Sequence, residues 1–474
     1  MINTEISSDF RLYLEEAIGK ENSLIAFSAF SKDSSTSIRI NPFKCPTDWE
    51  KDLSLVGAYF NQDVKRIPWS KYGYILENRP SFTLDPLFHA GAYYVQDSSS
   101  MYVGEVFRKL LSTIEINSSR PIRVLDLCAS PGGKTTDLST SLREVFGDNY
   151  ILVANEVIKQ RATILTENVA IWGDPNIIVT SEDPAKLGEV GANFDIILAD
   201  VPCSGEGMFR KDEQAISLWS KANVSHCQSR SRRILADIWP ALAPNGHLIY
   251  STCTFNKYEN DENIAWLNNE FGAFPYPELP KGDGVLETLF GRLLVPGMVA
   301  GEGQYCGVVR KDGSGKKENY YKYRKPSRDS IKKIDKSIIS QAKELVNNEF
   351  IFDSKTDILK ALPSHIYDEL AILDGRIKIL SSGIAIGRIK GNILVPHPDL
   401  ALSYIFSGEV YPKVELDLNM ALSYLSNEAL SFSSEKKSYL DLRFMGLSLG
   451  FVKNLGNRVN SLHPNNRRIR MKIK

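Results

Sequence analysis

Apolar residues fall in two rhythms along this chain. Between about 96 and 311, short apolar runs alternate with longer amphipathic stretches. The runs predict strands at 122–128, 150–155, 176–180, 194–199, 247–252 and 304–310, and the amphipathic stretches predict helices at 133–145, 157–171, 225–242 and 259–270. Such alternation implies an α/β unit with a parallel, doubly wound sheet. Pro244-Asn245-Gly246 predicts a turn ahead of the strand HLIYST. The leader, residues 1–95, is mixed. FRLYLEEAI and SLIAFSAF predict two helices, SIRIN a strand, and aromatic-rich segments follow, so it reads as a small α+β domain. Its tyrosines and tryptophans suit a core, with stacking on bases as the alternative. From 341 to 474 the runs shorten, as in IKILSSGIAIGRIKGNILVPH, and predict a compact α+β or barrel-like region. Between these lies a basic linker, 312–340, in which Tyr320, Tyr321 and Tyr323 interleave with Lys and Arg. Single-stranded RNA grooves use that mixture, and a solvated tether has it too.

Composition narrows the class. The chain has 474 residues, 43% hydrophobic and 24% charged, which is globular and ample for several domains. No apolar run approaches the ~20 residues of a membrane span. The opening MINTEISSDF does not read as a signal peptide. Six cysteines (45, 128, 203, 227, 253, 306) form no C-x-x-C pair, so neither a metal nor a disulfide framework is expected, and a reduced cytoplasmic setting is. A net charge of zero hides a split. Residues 311–474 carry 28 Lys and Arg against 18 Asp and Glu, while 1–310 carry 29 against 39. That pattern suggests a catalytic part and a part meeting a polyanion, although a solvated basic surface gives the same count.

The stretch RVLDLCASPGGK (123–134) reads as strand, glycine turn and helix start, the geometry that aims backbone N–H groups at a ligand. Gly133-Lys134-Thr135 would end a phosphate loop, but Cys128 stands where its first glycine belongs, and G-x-G-x-x-G is absent. This favours a nucleoside ligand without a long phosphate tail, such as S-adenosylmethionine. An ordinary tight turn is the alternative, and a P-loop hydrolase is disfavoured.

Three acids close successive predicted strands. Glu156 suits the hydroxyls of a ribose, Asp183 could accept from an adenine amino group, and Asp200 ends FDIILAD. Each alone could be a helix cap or a surface acid. Cys203 follows Pro202 just beyond Asp200, and Cys253 lies just past the next strand, in IYSTCTF. Thiols at adjacent strand exits favour chemistry over packing. With a methyl donor, a thiolate could add to carbon 6 of cytosine and make carbon 5 nucleophilic. A carboxyl such as Asp200 could hold the pyrimidine edge, and a stacked target base must first be turned out.

CASPGGKT (128–135), DVPCSGEGMFRKD (200–212) and YSTCTFNKYENDENI (250–264) resemble the RNA cytosine-5 methyltransferases of the Sun family, over roughly residues 5–311. HAGAYYVQDSSSM and NEVIKQRATILTENVAIWG resemble the segments around its first motifs. SGIAIGRIKGNILVPHPDLALS and LGFVKNLGNRVNSLHPNNRRIR are similar to the PUA-like RNA-binding tail of the bacterial ribosomal RNA branch, the RsmF type. The resemblance implies an S-adenosylmethionine-type Rossmann fold with a mostly parallel seven-stranded sheet. It implies Cys253 as nucleophile, Cys203 assisting release of the adduct, and Asp200 between cofactor and base. Cys128, Ala129, Ser130, Pro131, Gly132, Gly133 and Lys134 would line the cofactor, with Glu156 on its ribose and Asp183 near adenine. Lys134 would also help orient the base. A reader stopping at Pro202-Cys203 would take Cys203 as nucleophile, as in DNA cytosine-5 enzymes; Thr252-Cys253 favours the RNA assignment. In RLLVPGMVAGEGQYCGVVRK, Gln304, Tyr305 and Cys306 depart from the family, a change expected to affect packing more than chemistry. The implied partner is RNA, most directly 16S ribosomal RNA, acted on by a monomer away from membranes. A transfer RNA methyltransferase and a catalytically idle RNA-binding assembly factor are the rivals.

Overall fold

The computed structural model describes residues 6–46, 48–49, 51–114, 120–190, 193–313, 334–373, 375–430, 437–456 and 458–471. Its centre is a ten-stranded sheet. Five parallel strands form the middle, in the order Leu242–Thr252, Phe194–Asp200, Ile122–Asp126, Tyr150–Asn155 and Ile177–Thr180. Tyr150–Asn155 and Ile177–Thr180 are buried at every position, as strands covered on both faces must be. Alternate residues serve opposite faces. Leu125, Ile151, Val153, Ile178 and Ile197 enter one core, and Val124, Leu152, Val179, Ile196 and Leu198 the other. The strand order reverses at Ile122–Asp126, and there the glycine turn opens onto the crevice at the carboxyl ends.

Ten strands stand where seven were expected. Val285–Glu287, Gly291–Leu294, Gln304–Arg310 and the two-residue Phe274–Pro275 extend one side antiparallel. On the other side Ile379–Ser382 pairs antiparallel with Ile177–Thr180, in the register Ile379↔Thr180 and Ser382↔Ile178. Gln304–Arg310 is the strand predicted at 304–310; the others are too short to carry a periodic signal, and Ile379–Ser382 comes from nearly 200 residues downstream. Pro244-Asn245-Gly246 bends within the strand Leu242–Thr252 and leaves a register shift against Phe194–Asp200.

The leader is not self-contained. Thr36–Ile40, Val64–Arg66, Gly73–Leu76 and Tyr93–Val95 form a four-stranded sheet, but the helices Ser8–Ile18 and Lys20–Phe30 pack on the catalytic core. The Phe10 ring lies 4.9 Å from that of Phe209 and 5.4 Å from that of Trp219. Trp49, Trp69, Tyr72, Tyr74 and Tyr93 are buried, so these aromatics are core. At the far end are two further four-stranded sheets, Ile351–Asp353 with Ile358–Leu362, Ile384–Lys390 and Ile393–Pro396, and Lys413–Glu415 with Tyr439–Phe444, Leu447–Asn454 and Val459–Ser461. The expected linker ends in helix from Lys336 onward; its tyrosines, in 314–333, lie outside the described residues.

Lys44 stands where the three parts meet. Its ammonium donates to the carbonyls of Ile171 at 2.5 Å and of Leu402 at 2.7 Å. Ile171 lies at the carboxyl end of the helix Lys159–Trp172, where a cation is favoured, while burial and then the charge of Arg467 pull Lys44 down to about 7.

The downstream region completes the catalytic core. Leu362, Ile366, Leu373 and Ile377 belong to it, and Arg123 pairs with the buried Glu369. A chain cut after Lys311 should therefore lose cooperative melting by calorimetry. A sharp transition close to that of the full chain would show the catalytic unit to be independent of 312–474.

Candidate active site

The parallel register brings the two thiols together. Asp200 lies opposite Ser251, so Cys203 and Cys253 leave neighbouring strands side by side, and their Sγ atoms are 3.2 Å apart. Asp200 is held from three directions. Lys134 Nζ is 2.8 Å from its Oδ2, while Ser251 Oγ donates to Oδ1 at 2.6 Å and Gln304 Nε2 at 3.3 Å. Burial opposes the Lys134 charge, but Asp200 outweighs it and holds the ammonium above its ordinary range. Cys253 also lies within the field of that cation.

The thiols differ. The hydrogen bond with Cys253, then burial, push the Cys203 thiol well above its usual range. A proton is thus held on Cys203, from which it can be shared with Cys253. Burial and the carboxylates of Asp200, Asp126 and Glu156 raise Cys128 as well, which keeps it neutral. Cys306 is fully buried in the core between sheet and helices, so it packs.

The glycine turn is built for a close approach. Gly132 has φ 112°, a left-handed value at the start of the helix Gly133–Phe146. The turn is braced from outside. Tyr94 Oη donates to Pro131 O at 3.1 Å, Asn168 Nδ2 donates to the same atom at 2.7 Å, and Arg39 donates to Thr136 Oγ1 at 2.6 Å. Ala129 N donates to Asn155 O at 2.9 Å and ties the turn to the next strand end. Ser130 Oγ donates to Arg161 O at 2.9 Å.

Glu156, 3% exposed, spends Oε1 on Ile158 N at 2.9 Å; Oε2 faces Arg161 at 3.5 Å and has no hydrogen-bond donor. A buried acceptor without a donor fits a ligand bearing hydroxyls, such as a ribose. Asp126 is likewise buried. Thr135 donates to its Oδ2 at 2.6 Å, and its Oδ1 has no partner. Asp183 is different: it is exposed and accepts from Ala185 N at 3.0 Å as a helix cap, beside but not within this cluster. The structure thus gathers Cys128, Lys134, Glu156, Asp200, Cys203 and Cys253, and leaves Asp183 at the rim. Among the described residues no group of three or more His, Cys, Asp or Glu could hold a metal ion, and no helix is long and apolar enough to cross a membrane.

Ser251 escaped the sequence reading, and Gln304 was expected to affect packing. Gln304 also donates to Asp200, so it belongs to this cluster as well. Ser251 sits within the motif IYSTCTF, and strand alternation alone could have put it on the same side as Cys253.

A glycine turn at the switch point, with an unsatisfied acid at the second strand end, defines a Rossmann-type site for a nucleoside ligand with free hydroxyls. Residues 114–271 match the family of 16S rRNA methyltransferase RsmB/F, 6–98 the N-terminal domain of 16S rRNA methyltransferase RsmF, and 411–469 the methyltransferase RsmF PUA domain. The three matches follow one another along the chain, the RsmF-type N-terminal and PUA models on either side of the RsmB/F one. Ribosomal RNA small subunit methyltransferase F of Enterobacter sp. (strain 638) is 32% identical over 270 residues, 56% of this chain and 53% of that protein. The protein of the same name from Pectobacterium atrosepticum is 35% identical over 242 residues, 50% of this chain and 47% of its own. The chain therefore spans about half the length of the curated relatives it matches. Among solved structures, a methyltransferase homolog protein from Pyrococcus horikoshii is 27% identical with a TM-score of 0.53, covering 64% of this chain and 95% of its own. NSun6 from the same organism, solved with an S-adenosylmethionine analogue, shares the fold at 17% identity and a TM-score of 0.52, covering 64% of this chain and 98% of its own.

Asp126 generates a pH prediction. Burial first, and then the charge of Asp200, raise its carboxyl to about 7 against the help of Thr135. A raised carboxyl binds a proton in the folded chain that the unfolded chain has released. Its contribution is full below the unfolded value of about 4 and is lost as pH rises through about 7. The melting temperature of donor-free Asp126→Asn should therefore rise relative to wild type as pH rises across that window. A difference between the two that does not change with pH would remove Asp126 as the cause.

Proposed function

We propose that this chain transfers a methyl group to carbon 5 of cytosine in RNA, with 16S ribosomal RNA in a bacterial cytoplasm as the target. The pair of thiols 3.2 Å apart, beside the Asp200–Lys134 ion pair, carries this reading. Cys253 is the nucleophile. Cys203 keeps its own proton and donates a hydrogen bond to the Cys253 thiolate, whose proton has gone to solvent, and Lys134 adds positive charge nearby. Cys253 Sγ adds to carbon 6 of a cytosine turned out of its stack, and the electron pair of the C5–C6 bond shifts to carbon 5. Asp200, fixed by Lys134, Ser251 and Gln304, meets the pyrimidine edge. Cys128 to Lys134 line the cofactor, with Glu156 on the ribose and Asp183 at the adenine rim. S-adenosylmethionine, when bound, supplies an electrophilic methyl group on a sulfonium.

Release follows from the same geometry. Once Cys253 is bonded to carbon, it can no longer accept the proton of Cys203, and the largest cause of the high Cys203 pKa is gone. Cys203 can then release its proton to solvent and, as the thiolate, take the one on carbon 5. The electrons of that C–H bond re-form the C5–C6 double bond, and the C6–S bond breaks to return the Cys253 thiolate. The basic C-terminal region supplies the RNA contacts. An open groove of about 1050 Å³ there is lined by Asn465, Arg468 and Arg470 among others.

Cys253→Ala should abolish methyl transfer while donor binding survives; retained turnover would remove Cys253 as nucleophile. Cys203→Ala should cut turnover by about a hundredfold or more and accumulate a covalent RNA adduct, seen as a shifted band on a denaturing gel. Normal turnover without adduct would end the release role. The reaction itself is tested with labelled S-adenosylmethionine and size-fractionated RNA digested to nucleosides. Label in 5-methylcytidine of small-subunit ribosomal RNA is expected. The same nucleoside labelled in transfer RNA would overturn the target, and no label in free RNA or intact subunits would overturn the activity.

A further inference from the structure

Beneath the two thiols lies a buried polar cluster with no part in the chemistry above. Glu206 is 1% exposed, Glu259 0% and Asn256 1%. Glu206 sits three residues after Cys203, yet it binds the loop of the other cysteine. Its Oε2 accepts from the backbone N–H of Phe255 at 2.6 Å and of Asn256 at 3.1 Å. Glu259 sits six residues after Cys253 and does the reverse. Its Oε2 accepts from the backbone N–H of Ser204 at 2.9 Å, and Ser204 Oγ donates to its Oε1. Asn256 Nδ2 bridges the two, donating to Glu206 Oε1 at 2.8 Å and to Glu259 Oε1 at 2.9 Å. A backbone bond closes the set, from Gly207 N to Cys253 O at 2.7 Å.

Burying two carboxylates side by side is unfavourable unless their lone pairs are satisfied. Among the described residues neither has a Lys or Arg partner within ion-pair distance, so neutral N–H and O–H donors do the work. Burial and the neighbouring Glu206 raise the Glu259 carboxyl to about 7. A packed apolar core would join two loops at less cost. What the carboxylates add is direction, because each clasps the backbone next to the opposite thiol.

We propose that Glu206 and Glu259 are reciprocal positioning residues, each locking the other cysteine's loop, and that this interlock sets the thiol-to-thiol distance used in release. The proposal rests on the roles given to Cys203 and Cys253 above, but its first test does not need RNA. Dibromobimane becomes strongly fluorescent when both its arms alkylate thiols close together. The wild-type chain should cross-link Cys203 to Cys253, identified by peptide mapping. Glu206→Gln and Glu259→Gln put an amide donor against an N–H donor in either orientation and should slow the cross-link by about tenfold, the size of one lost charge-assisted hydrogen bond. Cross-linking at the wild-type rate in both variants would overturn the interlock. In turnover, both variants should lower kcat and accumulate adduct as Cys203→Ala does, with KM for RNA and donor binding unchanged. A raised KM with unchanged kcat would instead mark them as binding residues and overturn the proposal. Should either variant fail to fold, hydrogen exchange on the wild-type chain decides. The amides of Ser204, Gly207, Phe255 and Asn256, although outside strands, should exchange as slowly as those of the sheet, and exchange at loop rates would overturn the interlock. If the interlock stands while Cys253→Ala still methylates, the function assigned to the thiols fails and the interlock does not.

Discussion

Everything at this site depends on the register between two parallel strands. Asp200 lies beside Ser251, so residues two or three positions further on must leave the sheet together. A slip of one residue would turn Ser251 away from Asp200 and part the thiols, because side chains alternate faces with period two. The register is held by full burial of Ile196–Ala199 and Leu248–Tyr250 between two cores. Hydrophobic packing thus sets a distance between sulfur atoms that no local force could set.

The charges obey the same economy. Asp200 and Lys134 form a half-buried pair whose members come from strand end and helix start. Ser251 and Gln304 both donate to Oδ1, so the carboxylate is oriented as well as neutralised and keeps an acceptor site on Oδ2. Around the turn, bracing comes from outside the catalytic domain, through Tyr94 and Arg39 of the leader. Arg39 is fully buried with its guanidinium over the Trp172 ring, 4.8 Å from the centroid, and Lys44 holds the carbonyls of that helix end. Leader, catalytic sheet and downstream region therefore converge within a few side chains of the cofactor turn.

This convergence revises the picture of a catalytic domain carrying accessory RNA-binding ends. Phe10 and Phe30 fill the catalytic core from the front of the chain, and the strand Ile379–Ser382 caps the sheet edge from behind. An exposed edge strand invites pairing with other chains, and here the downstream region covers it. The basic excess of the second part sits largely in 314–333, where eight Lys and Arg face two acids in the sequence.

By itself the sequence determined what short-range pattern can determine. Buried β-branched runs read as central strands, Gly132 and Gly133 marked the turn, and the thiols stood out because Pro202-Cys203 and Thr252-Cys253 follow strand ends. The family resemblance rests on those same local motifs. What only the tertiary structure decided are relations between residues far apart in the chain. Gln304 reaches Asp200 across 104 residues, Glu206 reaches Phe255 across 49, and the 379–382 strand finds its partner near residue 180. Nothing local in the sequence marks Glu206 or Glu259, because a carboxylate's partner is chosen by the fold and not by its neighbours. The short strand ILSS carries too few side chains to show a period, and its place is set by a free sheet edge that exists only once the rest has folded.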